Sequence, residues 1–240
     1  MVLYVIGIGP GNKGEMTEQA WSALSDCQVI AGYELYVELI REWFPEKEYI
    51  RTSMKKEIQR CEAAIQQARE GKKVAMISSG DAGIYGMAGI LHELAAPYPD
   101  IEIKVIPGIT AACSGAAVLG APLTHDFAVI SLSDLLTPWE VIEKRIHGAA
   151  MADFVICFYN PSSIKRSGYL KKACEIIMKH QPETLMTGTV RNIGREGESS
   201  EIMPLSRLVE TQVDMFTTVF IGNSRTKAIN GKLVTPRGYL

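Results

Sequence analysis

Two hydrophobic rhythms succeed one another along this chain. Short apolar runs of strand length end in glycine or proline, and stretches with apolar residues every three or four positions follow them. Leu3 to Gly7 is the first run, closed by Gly9-Pro10-Gly11. Thr17 to Leu24 then places Ala20, Ala23 and Leu24 on one helical face behind Thr17, a residue type suited to an N-cap. A second strand is expected around Val29 and Ile30. From Ser53 to Glu70 the residues Ile58, Cys61, Ile65 and Ala68 share a helical face, with Gly71 in the C-cap position. Val74 to Ile77 is the next strand; a helix from Met87 to Ala95, a strand from Ile101 to Val105 and a helix from Ala111 to Leu119 complete the first half. This alternation predicts an α/β unit with a mostly parallel sheet.

Ala121-Pro122 breaks the last of these helices, and a strand from Phe127 to Leu132 opens the second half. A helix from Trp139 to about Ala149 follows, capped by Ser133 or Thr137, then a strand from Phe154 to Tyr159 and a helix from Leu170 to Lys179. Strands near Leu185 to Val190, Glu201 to Met203 and Thr217 to Ile221 come last, with a helix around Leu205 to Thr211 among them. The excess of strands predicts a mixed sheet. The fold expected is therefore two α/β domains, 1–119 and 120–240, with no low-complexity linker and an extensive shared interface.

Composition narrows the classes. The chain has 240 residues, 47% of them hydrophobic, ample for a core. Its 25 basic and 27 acidic residues leave no electrostatic footprint for nucleic acid or an anionic membrane. Five widely separated cysteines without a Cys-x-x-Cys pair argue against a disulfide framework, a zinc ribbon and an iron–sulfur cluster; four of them fall in helix or strand interiors, where a thiol acts as a small hydrophobe. Histidines 92, 125, 147 and 180 are scattered, so a metal site is not expected. Met1 to Ile6 lacks a basic n-region and no apolar run approaches bilayer length, which makes cytoplasm the expected location.

Candidate chemistry gathers in three small-residue turns that each follow an apolar run: 6–11, 80–86 and 107–112. Turns without bulky side chains let a ligand approach the backbone at the end of a buried strand. Gly9-x-Gly11-x-x-Gly14 formally matches the dinucleotide fingerprint. Against a nicotinamide cofactor, Pro10 removes a backbone N–H from that loop, and the acidic candidate Glu34 follows Gly32-Tyr33 in what reads as a loop. Glycine at every third position from Gly80 to Gly89 suits close approach better than a free-standing helix. Asp81 in such a turn reads first as an Asx-turn residue, and Thr110 as an N-cap. Tyr159-Asn160-Pro161 and Gly188-Thr189-Val190-Arg191 end two further strands, where ligands collect in α/β sheets.

In this order and wording the three turns, together with Leu119 to Phe127, Phe158 to Pro161 and Thr217 to Asn223, resemble the tetrapyrrole methylase family over almost the whole chain. The resemblance implies S-adenosylmethionine as methyl donor, S-adenosylhomocysteine as product, a ligand cleft between two α/β domains and a homodimer. It implies donor contacts at Pro10, Gly80, Asp81, Ala82, Tyr85, Thr110, Ala111, Ser131, Tyr159, Asn160 and Gly188, with Gly9 and Gly11 facing the macrocycle. Ala82 stands where the family commonly has proline, a departure that keeps the backbone contact and loosens the turn. Arg191, Arg195 and Lys165 are natural partners for the substrate's acetate and propionate groups, because cationic side chains, guanidinium above all, pair with carboxylates.

Ser131 to Glu140, Tyr159 to Ser163 and Asn192 to Arg195 resemble the branch that methylates C17 and contracts the ring of precorrin-3B or cobalt-precorrin-3 in cobalamin biosynthesis. Contraction needs lactone formation from a side-chain acetate and loss of the C20 meso carbon from the ring, for which a proton donor or base would help. His125, Asp81, Ser131 and Tyr159 are the candidates, though His125 also reads as a junction hydrogen-bonding residue. Methylation at C11 or C20, a nicotinamide-dependent oxidoreductase and a non-catalytic tetrapyrrole carrier stay open as alternatives.

Overall fold

Period-two alternation in strand β1 (Val2–Gly7) sends Leu3 and Val5 to one side of a sheet and Tyr4 and Ile6 to the other. In the computed structural model, which describes residues 1–163 and 167–239, both faces of that sheet are covered. After β1 come α1 (Glu18–Asp26), β2 (Val29–Tyr33), α2 (Glu34–Ile40), β3 (Glu48–Thr52), α3 (Glu57–Arg69), β4 (Val74–Ser78), α4 (Ala88–Ala95) and β5 (Glu102–Ile106). All the strands are parallel, in the order β3-β2-β4-β1-β5. α1 and α2 pack on Ile6, Ile30 and Ile77, while α3 and α4 pack on Leu3, Val5, Val74 and Met76. Two-sided burial is why the strands read as apolar runs.

Thr17 caps α1 as expected, its hydroxyl accepting from Ala20 N at 3.1 Å. Gly71 follows the cap of α3 with φ +90°, the left-handed conformation that ends the helix. The start of α3 is four residues later than expected, at Glu57, because Lys55 takes φ +67°. β2 runs on to Tyr33, so Glu34 opens a helix and does not lie in a loop. Two elements escaped the pattern: α2 buries only Val37 and Ile40, and β3 is an edge strand carrying Glu48 and Arg51.

The chain divides into compact units Met1–Ala111 and Ala112–Leu240. The second contains α5 (Ala111–Leu119, from its second residue), β6 (Gly120–Ala121), β7 (Phe127–Ser131), α6 (Trp139–Met151), β8 (Val155–Tyr159), α7 (Tyr169–Ile177), β9 (Met186–Arg191), β10 (Ser199–Pro204), α8 (Leu205–Leu208), β11 (Thr217–Ile221), β12 (Lys227–Ile229) and β13 (Lys232–Val234). Its main sheet is mixed, in the order β10-β9-β11-β8-β7, with β7 and β8 parallel and the other pairs antiparallel. α6, α7 and α8 cover one face through Ile142, Ile146, Cys174, Ile177 and Leu205. α5 belongs to this unit, and not to the first as a boundary after 119 would have it, because Gly115 packs so closely on β11 that an added Cβ would stand 2.8 Å from the Phe220 ring. β12, β13 and β6 form a small separate sheet whose short strands gave no apolar pattern to read. Neither Ser133 nor Thr137 caps α6; Pro138 holds the cap position without a side-chain bond. Among the described residues, no helix is long and apolar enough to cross a membrane.

Candidate functional site

β4, β1 and β5 are neighbours and parallel, so the turns that leave them emerge at one edge of the first sheet. There the backbones touch. Gly9 N donates to Gly80 O at 3.1 Å and Gly80 N to Gly9 O at 2.7 Å, a two-residue bridge that joins the first turn to the second. A Cβ on Gly7 would lie 2.6 Å from both Gly108 N and Gly80 O, so the third turn is packed against the other two with no room for a side chain. Gly9 and Gly80 have φ +72° and +68°, a region that glycine occupies without strain.

Asp81 fastens the same assembly. One carboxylate oxygen accepts from Gly83 N at 2.8 Å within its own turn, and the other accepts from Gly108 N at 2.9 Å. Its oxygens are thus engaged by backbone donors, which makes it the staple between the second and third turns. Beyond it, Ala82 is fully buried, while Tyr85 is 57% exposed at φ +54°. Pro10 is buried beside Gly9, and Thr110 and Ala111 stand next to Gly80, whose Cβ would meet Thr110 Cα at 3.6 Å.

In the second unit, β7, β8 and β9 run in the same direction, so Ser131, Tyr159, Asn160 and Arg191 lie at one edge of that sheet. Asn160, at φ +52°, donates through its amide to the Ser131 hydroxyl at 3.0 Å, and Ser133 N donates to the same oxygen at 3.2 Å. The Tyr159 hydroxyl accepts from Ala112 N at 2.6 Å in the first turn of α5.

Other expected site residues are placed apart. His125 precedes β7 while Ser131 ends it, a separation of roughly 20 Å at about 3.3 Å per residue. Gly188 faces α5 and β13, and a Cβ there would meet Leu119 at 2.8 Å and Leu233 at 3.2 Å, so close packing accounts for the glycine. Arg191 stands three positions further along the same strand and faces the opposite way; its Nε donates to Asp214 at 2.7 Å. Arg195 lies in the turn joining β9 to β10, where its backbone N donates to Asn192 O at 2.9 Å. Gly11 has φ +149°, in the loop held by the Asn12–Glu15 hydrogen bonds. Lys165 lies outside the described residues.

Four thiols, those of Cys27, Cys61, Cys157 and Cys174, are buried, and Cys113 is exposed. Burial pushes Cys27 and Cys174 up to about 12 and Cys61 up to about 11, and raises Cys157 as well, so these are packing groups rather than nucleophiles. The histidines are less scattered in space than in sequence: His147 Nδ1 and His180 Nε2 are 2.9 Å apart. α6 and the turn after α7 bring them together.

The strand order also bears on the dinucleotide fingerprint. That motif works with the β2 acid beside the β1 glycine loop, and here β4 separates β1 from β2, placing Glu34 a strand away. The chain instead belongs to the family of Tetrapyrrole (Corrin/Porphyrin) Methylases, whose sequence profile matches residues 2–209. Within it, a Salmonella typhimurium protein named as a probable cobalt-factor III C(17)-methyltransferase is 48% identical over 239 residues, 99% of each chain. A Sinorhizobium protein named precorrin-3B C(17)-methyltransferase is 37% identical over 246 residues, 99% of this chain and 96% of that one. The crystal structure of the methyltransferase CobJ superposes with a TM-score of 0.89 at 34% identity, covering 98% of this chain and 99% of that one.

Proposed function

We propose that this chain is an S-adenosylmethionine-dependent methyltransferase that methylates C17 of a precorrin-3-type tetrapyrrole, with ring contraction, in cobalamin biosynthesis. The observation that carries the reading is the welded edge of the first sheet, where Gly7, Gly9, Gly80 and Gly108 bring three turns into backbone contact. Such an edge suits a nucleoside ligand: it offers backbone groups, small side chains and the half-exposed ring of Tyr85, with its one carboxylate already held by Gly83 N and Gly108 N. When bound, S-adenosylmethionine supplies a methyl group already activated as a sulfonium. Acid–base help is then a minor need, and the chain's work is orientation, worth up to ~7–11 kcal/mol, together with exclusion of water.

Donor contacts are assigned to Pro10, Gly80, Asp81, Ala82, Tyr85, Thr110 and Ala111, all in the first unit. Tyr159 and Ser131 act in this reading by holding neighbours, the Ala112 N–H and the Asn160 amide. A cytoplasmic homodimer belongs to the same proposal, supported by the family resemblance alone and tested by light scattering after size exclusion.

Calorimetric titration with S-adenosylhomocysteine, beside NAD and NADP, is the test. Micromolar binding of the first alone is expected; silence toward it with a response to either nucleotide overturns the reading. Methylation of cobalt-precorrin-3 against precorrin-3B then decides the substrate form.

A further inference from the structure

α3 carries an arginine on its buried face. Arg60 precedes Cys61, Ala64, Ile65 and Ala68 in the stripe that packs on the first sheet, and the residue is only 4% exposed. A buried guanidinium is ordinarily retained with a carboxylate that satisfies it in two places. Here the hydrogen-bond acceptors are neutral. Nη1 donates to the Thr52 hydroxyl at 2.5 Å and Nη2 to the Met87 sulfur at 3.7 Å, while buried Nε has no hydrogen-bond partner. The carboxylate that faces it, Glu57, stands 4.0 Å from Nη2 and is itself 45% exposed. Burial works against the charge of the guanidinium.

Its place in the fold suggests what the charge is for. Thr52 ends β3, and Met87 closes the turn that leaves β4, so Arg60 sits under the same sheet edge as the Gly80–Gly86 turn. At that edge the first turn of α2 carries exposed Leu35, and the loops leaving β3 and β4 carry exposed Met54 and Ile84. An apolar rim above a buried cation whose Nε has no acceptor and whose one carboxylate stands 4.0 Å away is complementary to a flat, largely apolar ligand with acid side chains.

We infer that Arg60 is a substrate-recognition residue, whose Nε and Nη groups receive one carboxylate of the macrocycle. The inference rests on the tetrapyrrole reading above and goes beyond it by naming the residue and the group it takes. A bound carboxylate supplies the acceptor that Nε lacks, and the charge that Glu57 is too distant and too solvated to balance.

The test uses uroporphyrin, an acid-rich porphyrin, and its methyl ester, titrated by fluorescence quenching into the wild-type protein and into Arg60→Met and Arg60→Lys. Wild type is expected to prefer the free acid, and Arg60→Met to weaken the acid by about tenfold or more without changing the ester or S-adenosylhomocysteine. Arg60→Lys should recover part of the loss. Should Arg60→Met fail to fold, the Nε–H resonance of wild-type Arg60, assigned by its disappearance in Arg60→Lys, is followed instead. It is expected to shift with uroporphyrin and not with the ester. Equal acid binding by Arg60→Met and wild type, or an Nε–H signal that uroporphyrin leaves unmoved at saturation, overturns the assignment to Arg60 alone. Wild type that binds S-adenosylhomocysteine but no uroporphyrin overturns this inference and the tetrapyrrole reading together.

Discussion

The two sheets bring loops to an edge by different means. In the first, every strand is parallel, so the turns after β4, β1 and β5 meet by topology, and their glycines let backbone touch backbone. In the second, antiparallel β11 stands between β9 and β8, and the residues at the corresponding edge are joined by side chains: Asn160 to Ser131, Tyr159 to Ala112, Arg191 to Asp214. A backbone weld fails when any atom is added. A side-chain bond fails only when its own group is removed, and at a smaller cost.

The sharpest way to break this contrast is a pair of glycine substitutions. In Gly108→Ala the new Cβ would meet Gly7 C at 2.6 Å, and the carbonyl of Gly80 too, backbone on both sides. We expect a loss of about 3 kcal/mol or more in urea unfolding, at the upper end for overpacking. In Gly188→Ala the Cβ would press on the Leu119 and Leu233 methyls at 2.8 and 3.2 Å, ends of flexible side chains, and a loss of about 1 kcal/mol is expected. Equal losses would abolish the distinction. Asp81→Ala comes next, at about 2–3 kcal/mol, because it strands the N–H groups of Gly83 and Gly108. Asp81→Asn should restore part of that, its remaining oxygen serving one donor. If Asp81→Asn instead keeps stability and S-adenosylhomocysteine affinity while turnover vanishes, Asp81 moves a proton and is not merely a staple.

The same contrast explains what was legible in the chain. A parallel strand buried on two faces is an apolar run, and a turn that must approach another backbone is a run of small residues, so β1, β4 and the three glycine turns stand out locally. The Asx-turn reading of Asp81 could be made from its neighbours alone; its second bond, to Gly108 N, joins residues 27 positions apart and had no local sign. Partners across hairpins were equally hidden. Nothing near Arg191 announces Asp214, and the distance between His125 and Ser131 follows only from knowing that β7 lies between them. Arg60 was hidden as well: the face read from spacing was Ile58, Cys61, Ile65 and Ala68, whereas the helix buries Arg60 and leaves Ile58 57% exposed.

A smaller effect separates the two edges from the other side. Tyr159→Phe removes a hydroxyl that accepts from one N–H, that of Ala112, where Asp81 serves two. The expected loss is about 1 kcal/mol, the net value of one such bond. The measurement is again urea unfolding, with S-adenosylhomocysteine affinity in parallel. A loss as large as that of Asp81→Ala would mean that one side-chain bond holds the second edge as firmly as the staple holds the first.

The smallest effect expected is electrostatic and depends on pH. Partial burial raises the pKa of Asp214, but the Arg191 guanidinium at 2.7 Å, the Thr217 hydroxyl at 2.8 Å and Phe216 N at 3.0 Å outweigh it, and the net shift is downward. A carboxyl lowered on folding contributes stability that is fully present above its unfolded value, about 3.9, and is lost as pH falls through the lower folded value. Solvent screening at this mostly exposed pair holds the contribution below ~1 kcal/mol. Wild type should therefore exceed Asp214→Asn slightly at pH 7, with the gap beginning to close below pH ~4 and gone once pH has passed the folded value. A gap that persists after the folded carboxyl itself has been protonated would trace the loss to packing rather than charge. Arg191→Ala decides the role of the arginine itself: matching Asp214→Asn in stability, with uroporphyrin affinity unchanged, makes it the partner of Asp214, whereas weakened uroporphyrin binding returns it to the substrate.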